Sequence, residues 1–343
     1  MTGKDEAEQY NRYYLSEEDG ESHYDKRYGG KITLQTQERL GNTINTILEY
    51  KGSTDTLTIL DYGCGNGRHF STIRKLVEML DHTGIQVYYV GYDISWVGLE
   101  QFGEKAIGQG LIKIGGEKIH PITESETKDA GYQGPVLAKG NLKLSLVHCD
   151  ASDSPEHIKS LLPDADLSLC MNGVLSCIEE RRDRQAVLEL VGKKTTGRLI
   201  FTVPNADCAE DKQKNLNAEY TEKVQKERLE EAIKTGKNAR LLEKDDKYIP
   251  RVLRDNKTVS LFYHLHTLER LQEDLKIAGF TDYKIGCDAT KPEVDILNYD
   301  EQEQLAEYRL SMNMPPEKLR TLARYFFIEA NGTHEKKIKL PTP

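Results

Sequence analysis

Three glycines spaced two residues apart constrain the fold of this chain more than any other feature. A short apolar run at Leu57–Leu60 has the length of a strand, and Gly63, Gly65 and Gly67 follow it. Ser71–Leu80 then repeats apolar residues at helical spacing. The pattern predicts a strand, a glycine turn and a helix. Glycine in such a turn permits positive φ angles and lets a ligand approach the main chain.

The spacing of the glycines is not that of the dinucleotide-binding G-x-G-x-x-G loop. The pattern Asp61-x-Gly63-x-Gly65-x-Gly67 instead resembles motif I of the class I S-adenosylmethionine-dependent methyltransferases. The resemblance implies that the loop packs against the methionine part of the cofactor S-adenosyl-L-methionine. It also implies that an acidic residue at the position of Asp61 helps to orient that part. A glycine turn with a purely structural role is the alternative.

A second acidic residue ends the next predicted strand, Gln86–Asp93. A carboxylate at the tip of the second strand of a βαβ unit is placed to accept hydrogen bonds from ribose hydroxyls, and we predict this role for Asp93. The alternative is an N-cap of the following helix, which Ser95 could provide equally well. Ile94 and Trp96 are candidates for an apolar wall beside adenine, with core packing as the alternative.

Two further predicted strands end on candidate cofactor residues. The alternating run 143–150 ends on Asp150, and the resemblance places here a residue that bonds the adenine amino group, often followed by a small residue such as Ala151. Asp153 competes for this role, and either aspartate could instead cap the helix that follows. The fourth predicted strand ends on Asn172, and the resemblance places the residues after it near the transferred methyl group.

Five predicted strands alternate with helices up to residue 204, which implies a parallel sheet with its ligand above the strand carboxyl ends. A helix over 267–280, a strand over 283–287 and a final strand over 322–330 resemble the closing elements of the class I fold, whose last strand is antiparallel. We therefore predict an α/β, Rossmann-like methyltransferase sheet that is mostly parallel, with helices on both faces and an inserted helical lid.

The 343 residues divide into a leader and helix over 1–50 and a methyltransferase domain over 51–343. That domain carries insertions at about 109–140, predicted as a surface loop or small hairpin, and at 205–258. Within the second insertion, residues 207–246 are rich in Lys, Glu and Gln and have few apolar residues. They predict a polar helical lid or a surface for a protein partner, with a solvated helix as the default.

The first 30 residues are rich in Glu, Asp and Tyr and predict a mobile leader before an amphipathic helix. In many proteins of the resembled family, an N-terminal segment with tyrosines folds over the cofactor mouth. Tyr24 or Tyr28 could therefore contact substrate, with packing along one face of the leader as the alternative.

Composition limits the possible partners. Asp and Glu number 56 against 47 Lys and Arg, giving a net charge of −9. A general nucleic-acid or membrane-binding protein would instead carry an excess of positive charge.

The six cysteines show neither a C-x-x-C pair nor metal-ligand spacing, so no metal site is predicted and the thiols are expected to be reduced. No run approaches the ~18 apolar residues of a membrane span. We expect a soluble, cytoplasmic protein.

No sequence feature identifies the methyl acceptor. Tyr263, His264 and His266 form the most chemically distinctive cluster outside the glycine loop, because an imidazole can act as a general base near neutral pH. In a strand, the tyrosine would face one side and the two histidines the other. An edge strand with solvated histidines is the alternative.

Two partial resemblances point to RNA acceptors. Tyr263–Leu265 followed by a helix resembles the late segment of the tRNA wobble-uridine carboxymethyl methyltransferases. Tyr88–Ser95 and Gly197–Asn205 resemble parts of the mRNA cap guanine-N7 methyltransferases. Because the chain is acidic, we favour a small-molecule acceptor and keep RNA methylation as the alternative. A non-catalytic S-adenosylmethionine-binding subunit is the alternative of another class.

Overall fold

The computed structural model describes residues 3–15, 34–51, 56–79, 84–114, 136–148, 162–171, 173–208, 218–236, 242–252, 256–289, 299–312, 314–334 and 340. The strands are β1 (Thr56–Tyr62), β2 (Gln86–Asp93), β3 (Ile112–Ile114), β4 (Val136–Lys139), β5 (Leu142–His148), β6 (Ala165–Cys170), β7 (Thr195–Pro204), β8 (Asp246–Val252), β9 (Thr258–His264), β10 (Tyr283–Ala289) and β11 (Tyr325–Asn331). The helices are α1 (Gly3–Leu15), α2 (Leu34–Lys51), α3 (Phe70–Met79), α4 (Trp96–Gly108), α5 (Val174–Cys177), α6 (Arg181–Lys194), α7 (Ala218–Thr235), α8 (Leu268–Ile277), α9 (Glu301–Met312) and α10 (Pro316–Leu322).

A nine-stranded sheet in the order β10-β11-β7-β6-β1-β2-β5-β4-β3 forms the centre of the molecule. Strands β5, β2, β1, β6 and β7 pair in parallel. Strand β11 is inserted between β7 and β10 and runs antiparallel to both. The predicted mostly parallel sheet with an antiparallel last strand is therefore confirmed. The carboxyl ends of its parallel strands meet at one edge, where α/β proteins bind ligands.

The sheet is covered on both faces, which explains why its central strands read as continuous apolar runs. Ile59 of β1 packs toward α2, α3 and α4, while its neighbour Leu60 packs toward α6, α8 and α10, and neither is exposed to solvent. The predicted helices on both faces are confirmed. Within the first predicted insertion, β4 pairs antiparallel with β5 and with β3, and thereby extends the sheet at that edge.

The second predicted insertion and strand β9 share a small apolar cluster. Strands β8 and β9 form a separate antiparallel sheet, and α7 packs on β8. Val224 of α7 is buried against Tyr248 and Phe262 of the hairpin. A polar contact joins this unit to the main domain, because Arg228 and Tyr248 both bond the buried Glu179 carboxylate. The helical insertion is therefore docked on the segment between α5 and α6.

The N-terminal segment differs from the predicted mobile leader, because residues 3–15 form helix α1, which contacts α4 and β9. These tertiary contacts order a segment whose polar sequence gives little indication of burial. Tyr24 and Tyr28 lie outside the described residues. Among the helices that the structure describes, none has both the length and the apolar character required to cross a bilayer.

The Glu179–Arg228 contact predicts a measurable stability effect. Arg228→Ala should lower the free energy of unfolding by about 2 kcal/mol, because it removes a cation that bonds the buried Glu179 carboxylate. The Arg228 guanidinium also lies 4.6 Å from the centre of the Tyr248 ring. Urea denaturation would measure the change, with the exposed Lys226→Ala on the same helix as the control. Equal, small losses in the two variants would contradict the importance of this contact.

Candidate functional site

The predicted strand, glycine turn and helix are present as β1, residues 63–69 and α3. Gly65 has a φ of 52°, a conformation that residues with a side chain rarely adopt. A Cβ placed on Gly65 would overlap the hydroxyl oxygen of Tyr14, and one on Gly63 would overlap the methyl groups of Val174. The turn is fixed to the end of β2, since the N–H groups of Gly63 and Cys64 donate to the Tyr92 carbonyl at 2.8 and 3.0 Å.

The Asp93 carboxylate joins the glycine turn to the end of β2. Its Oδ2 accepts the Gly65 N–H at 2.7 Å, and its Oδ1 accepts the Ser95 N–H at 2.8 Å. Ser95 is the N-cap of α4, because its Oγ accepts the Gly98 N–H at 3.1 Å. The capping alternative for Asp93 is therefore wrong. Its carboxylate is instead held against the glycine loop.

Two buried carboxyl groups give this region its electrostatic character. Burial raises the pKa of Asp61 to about 7; the hydrogen bond donated by the Tyr89 hydroxyl opposes the shift, and the nearby Asp93 adds to it. Burial also raises the pKa of Asp93 to about 6, partly offset by the N–H groups of Ser95, Gly65 and Ile94. A cationic ligand at this position would favour the ionised form of both groups.

The remaining predicted cofactor residues are described only in part. Ile94 is half-buried, and its carbonyl accepts a hydrogen bond from His148 Nε2 at 2.9 Å. Trp96 is exposed, so it is not part of the core. Gly67, the third glycine of the loop, lies against Phe102 of α4, which a Cβ on it would overlap. Three predicted residues and one competitor lie outside the residues described by the structure: Asp150, Ala151, Asn172 and Asp153.

Sequence reasoning missed the contribution of α1. Asn11 Oδ1 accepts hydrogen bonds from Ser95 Oγ at 2.8 Å and from the Val97 N–H at 3.4 Å, at the start of α4. The Tyr14 ring lies against Gly65 and Gly98. The only indication in the sequence is the cluster of tyrosines at residues 10, 13 and 14, which lacks an apolar periodicity strong enough to predict a docked helix.

Tyr263 lies beside the end of β6. Gly173, three residues after the end of that strand, has a φ of 75°, and a Cβ on it would come within 2.8 Å of the Tyr263 hydroxyl oxygen. The next residue, Val174, lies against Gly63 of the glycine loop. A continuous series of contacts therefore connects Tyr263 to the loop, over the carboxyl ends of β6 and β1.

The two histidines are buried, so the alternative of solvated histidines on an edge strand is wrong. His264 and His266 are each 3% exposed, and their ring centres lie 4.6 Å apart. His264 Nδ1 shares a 2.7 Å hydrogen bond with Asp246 on the neighbouring strand. Strand alternation places the His264 ring on the side of β9 opposite Tyr263, and His266 lies two residues beyond the end of the strand.

His266 lies where β9 meets the end of β7, because its N–H donates to the Pro204 carbonyl at 2.9 Å. Its pKa is held well below the ordinary value by burial, then by His264, Arg184 and Arg270, so the ring is neutral near pH 7. Within the part of the chain that the structure describes, no three His, Cys, Asp or Glu side chains are placed to hold a metal ion.

No protein-family model and no curated protein matches the chain. Several solved structures are similar to it. An S-adenosylmethionine-dependent methyltransferase from Clostridium acetobutylicum is 14% identical, with a TM-score of 0.46, over 90% of this chain and 95% of that chain. The CcbJ methyltransferase from Streptomyces caelestis is 11% identical, with a TM-score of 0.43, over 95% and 97%. Magnesium protoporphyrin IX methyltransferase from Synechocystis, solved with bound SAH, is 14% identical, with a TM-score of 0.42, over 95% and 98%.

The chain's own topology shows its fold. The parallel strands β5-β2-β1-β6-β7, the antiparallel β11 beside β7, and helices on both faces are all present. The glycine loop follows β1, and an aspartate ends β2, as the resemblance implied. The chain has the fold of the class I S-adenosylmethionine-dependent methyltransferases.

Proposed function

We propose that this protein is an S-adenosylmethionine-dependent methyltransferase. The observation that carries the proposal is the hydrogen bond from the Gly65 N–H to the Asp93 carboxylate. This bond joins two groups at the ligand-binding edge of the sheet. One is a glycine loop whose main chain a ligand can approach closely, and the other is a carboxylate suited to ribose hydroxyls. Asp61, at the end of β1, adds a second acidic group beside them. An acidic, glycine-lined site suits a ligand with a sulfonium and an ammonium group.

The proposed cofactor contacts are distributed along this edge. Asp93 would bind the ribose, and the glycine loop with Asp61 would lie along the methionine part. Ile94 would lie beside adenine. The resemblance adds Asp150 and Ala151 at the adenine amino group. We propose that Asn172 also binds the cofactor, directly before the residues that the resemblance places near the methyl group.

Methyl transfer from a sulfonium is a displacement in which positioning and exclusion of water account for much of the catalysis. Of the three side chains we propose for catalysis, Tyr263 is supported by its contact beside Gly173. His264 or His266 would act as a general base if the acceptor approached from the side of β9 on which His264 contacts Asp246 of β8. A base is needed only when the acceptor atom carries a proton.

We favour a small-molecule acceptor, because the net charge of −9 opposes the binding of a polyanion such as RNA.

Residues 207–246 would act as a lid on the acceptor side. Support for this role comes from the Arg228–Glu179 contact, which docks α7 on the segment that follows α5. A cytoplasmic location agrees with the described cysteines, which are thiols rather than disulfides.

Titration calorimetry with S-adenosylmethionine and S-adenosylhomocysteine tests the cofactor assignment. We expect both to bind to the full chain, and failure of both to bind would contradict the proposal. Release of S-adenosylhomocysteine should then be followed with alcohols, phenols, amines and tRNA as acceptors. Turnover with tRNA alone would replace the small-molecule acceptor by RNA. Binding without turnover on any acceptor would favour the non-catalytic subunit.

A further inference from the structure

Tyr14 occupies a defined position over the glycine loop. Its hydroxyl oxygen lies where a side chain on Gly65 would begin, and its ring edge lies 3.1 Å from the position of a Cβ on Gly98. Three polypeptide segments therefore converge here: the loop after β1, the first turn of α4, and the end of α1. The hydroxyl faces the backbone of the loop that we assign to the methionine part of the cofactor.

The rest of α1 fixes this position. Asn11 bonds Ser95 and Val97 at the start of α4, and the Gln101 side-chain amide donates to the Tyr14 carbonyl at 3.2 Å. One set of contacts lies three residues before Tyr14, and the other is made by the main chain of Tyr14 itself. The phenol is thus placed by protein contacts before any ligand binds, which reduces the ordering cost of a new hydrogen bond.

The charges around the loop indicate what this hydroxyl would bind. The methionine part of the cofactor ends in an ammonium and a carboxylate group. The buried carboxyl groups of Asp61 and Asp93 favour the ammonium and repel the carboxylate. The cofactor carboxylate therefore requires a neutral or cationic donor on the opposite side of the loop. A phenol is such a donor, and its hydrogen bond to an ionised acceptor is stronger than one between neutral groups.

We propose that the Tyr14 hydroxyl donates a hydrogen bond to the carboxylate of the methionine part of S-adenosylmethionine, and that α1 forms one wall of the cofactor site. The inference rests on the proposed function and extends it to a residue and a ligand group. It predicts that Tyr14 acts only on ligands that carry the amino-acid part. A purely structural role for α1 would affect ligands with and without that part equally.

The experiment compares two ligands on the full chain by titration calorimetry. S-adenosylhomocysteine carries the carboxylate, whereas 5′-methylthioadenosine has the same nucleoside and sulfur without it. Tyr14→Phe should raise the Kd of S-adenosylhomocysteine about tenfold, the loss expected for one hydrogen bond to a charged group. The Kd of 5′-methylthioadenosine should stay within about twofold of the parent value.

Tyr13→Phe is the matched control. The Tyr13 ring is buried on the same helix and lies 5.6 Å from that of Tyr14, and its variant should bind both ligands like the parent. Equal weakening of both ligands by Tyr14→Phe, or no weakening of either, overturns this inference while the cofactor assignment stands. If the parent binds neither ligand, the proposed function fails and the inference fails with it.

Discussion

Replacing Gly65 by alanine should weaken S-adenosylmethionine binding by about 100-fold or more, which corresponds to about 2.8 kcal/mol. Two causes act together. The new Cβ would overlap the Tyr14 hydroxyl oxygen, so either α1 or the loop must move. The N–H of this residue also donates to Asp93 Oδ2, and a shifted loop would lose that contact. Titration calorimetry measures the affinity directly.

Gly84→Ala controls for backbone strain. Gly84 also has a positive φ, 74°, but nothing lies within 4 Å of a Cβ placed on it. Both variants should lose about 1–2 kcal/mol of stability from the left-handed conformation. Only the Gly65 variant should lose cofactor affinity. If the two variants bind the cofactor equally well, then the glycine loop is not the cofactor site.

The parts of the site predicted from sequence are those governed by short-range rules. Glycine spacing predicts the turn after β1, and the β-branched and aromatic residues of the run 86–93 predict a strand with its last side chain at the tip. Because parallel strands share one carboxyl edge, these two local predictions also bring Asp93 to the glycine loop. The observed bond between Asp93 and Gly65 is the result.

The parts missed by sequence depend on contacts between distant segments. Asn11 bonds Ser95, 84 residues away along the chain, and no local pattern indicates that pairing. The same holds for the histidines. Strand alternation predicts that His264 and His266 share a side. Their burial, however, depends on β8, which begins at Asp246. Asp246 ends a polar stretch whose sequence predicted only a helical insertion. Such partners are determined by tertiary structure.

Cofactor affinity should fall steeply as the pH is lowered from 8 to 5. In the unliganded protein the pKa of Asp61 is about 7 and that of Asp93 about 6. A cationic ligand requires the ionised carboxylates, so protons must be released on binding at lower pH. At pH 5 a group of pKa about 7 is ionised in about 1% of molecules, so Asp61 alone should weaken binding about 100-fold. Calorimetry in buffers of different ionisation enthalpy would measure the released protons.

The same shifts have the opposite effect on the stability of the unliganded protein. Both carboxyl groups have a folded pKa above the ordinary value of 3.8, so each contributes stability that is fully present below pH 3.8. This contribution is lost as the pH rises through about 6 for Asp93 and about 7 for Asp61. The unliganded protein therefore loses these contributions by pH 8. The increase in Tm on adding S-adenosylmethionine should consequently be larger at pH 8 than at pH 5.5. A pH-independent increase would contradict the ionisation requirement.

Tyr89→Phe tests which carboxyl group is responsible. The Tyr89 hydroxyl donates to Asp61 Oδ2 and opposes the rise in its pKa. Removing this donor should raise the pKa of Asp61 further, so the midpoint of the affinity profile should move to higher pH. The buried ring of the variant still packs on Phe70 and Phe102, which preserves the core around it. Tyr88→Phe, on the adjacent position of β2, should leave the midpoint unchanged. If Tyr89→Phe also leaves it unchanged, the protons released on binding come from Asp93 or from the ligand rather than from Asp61.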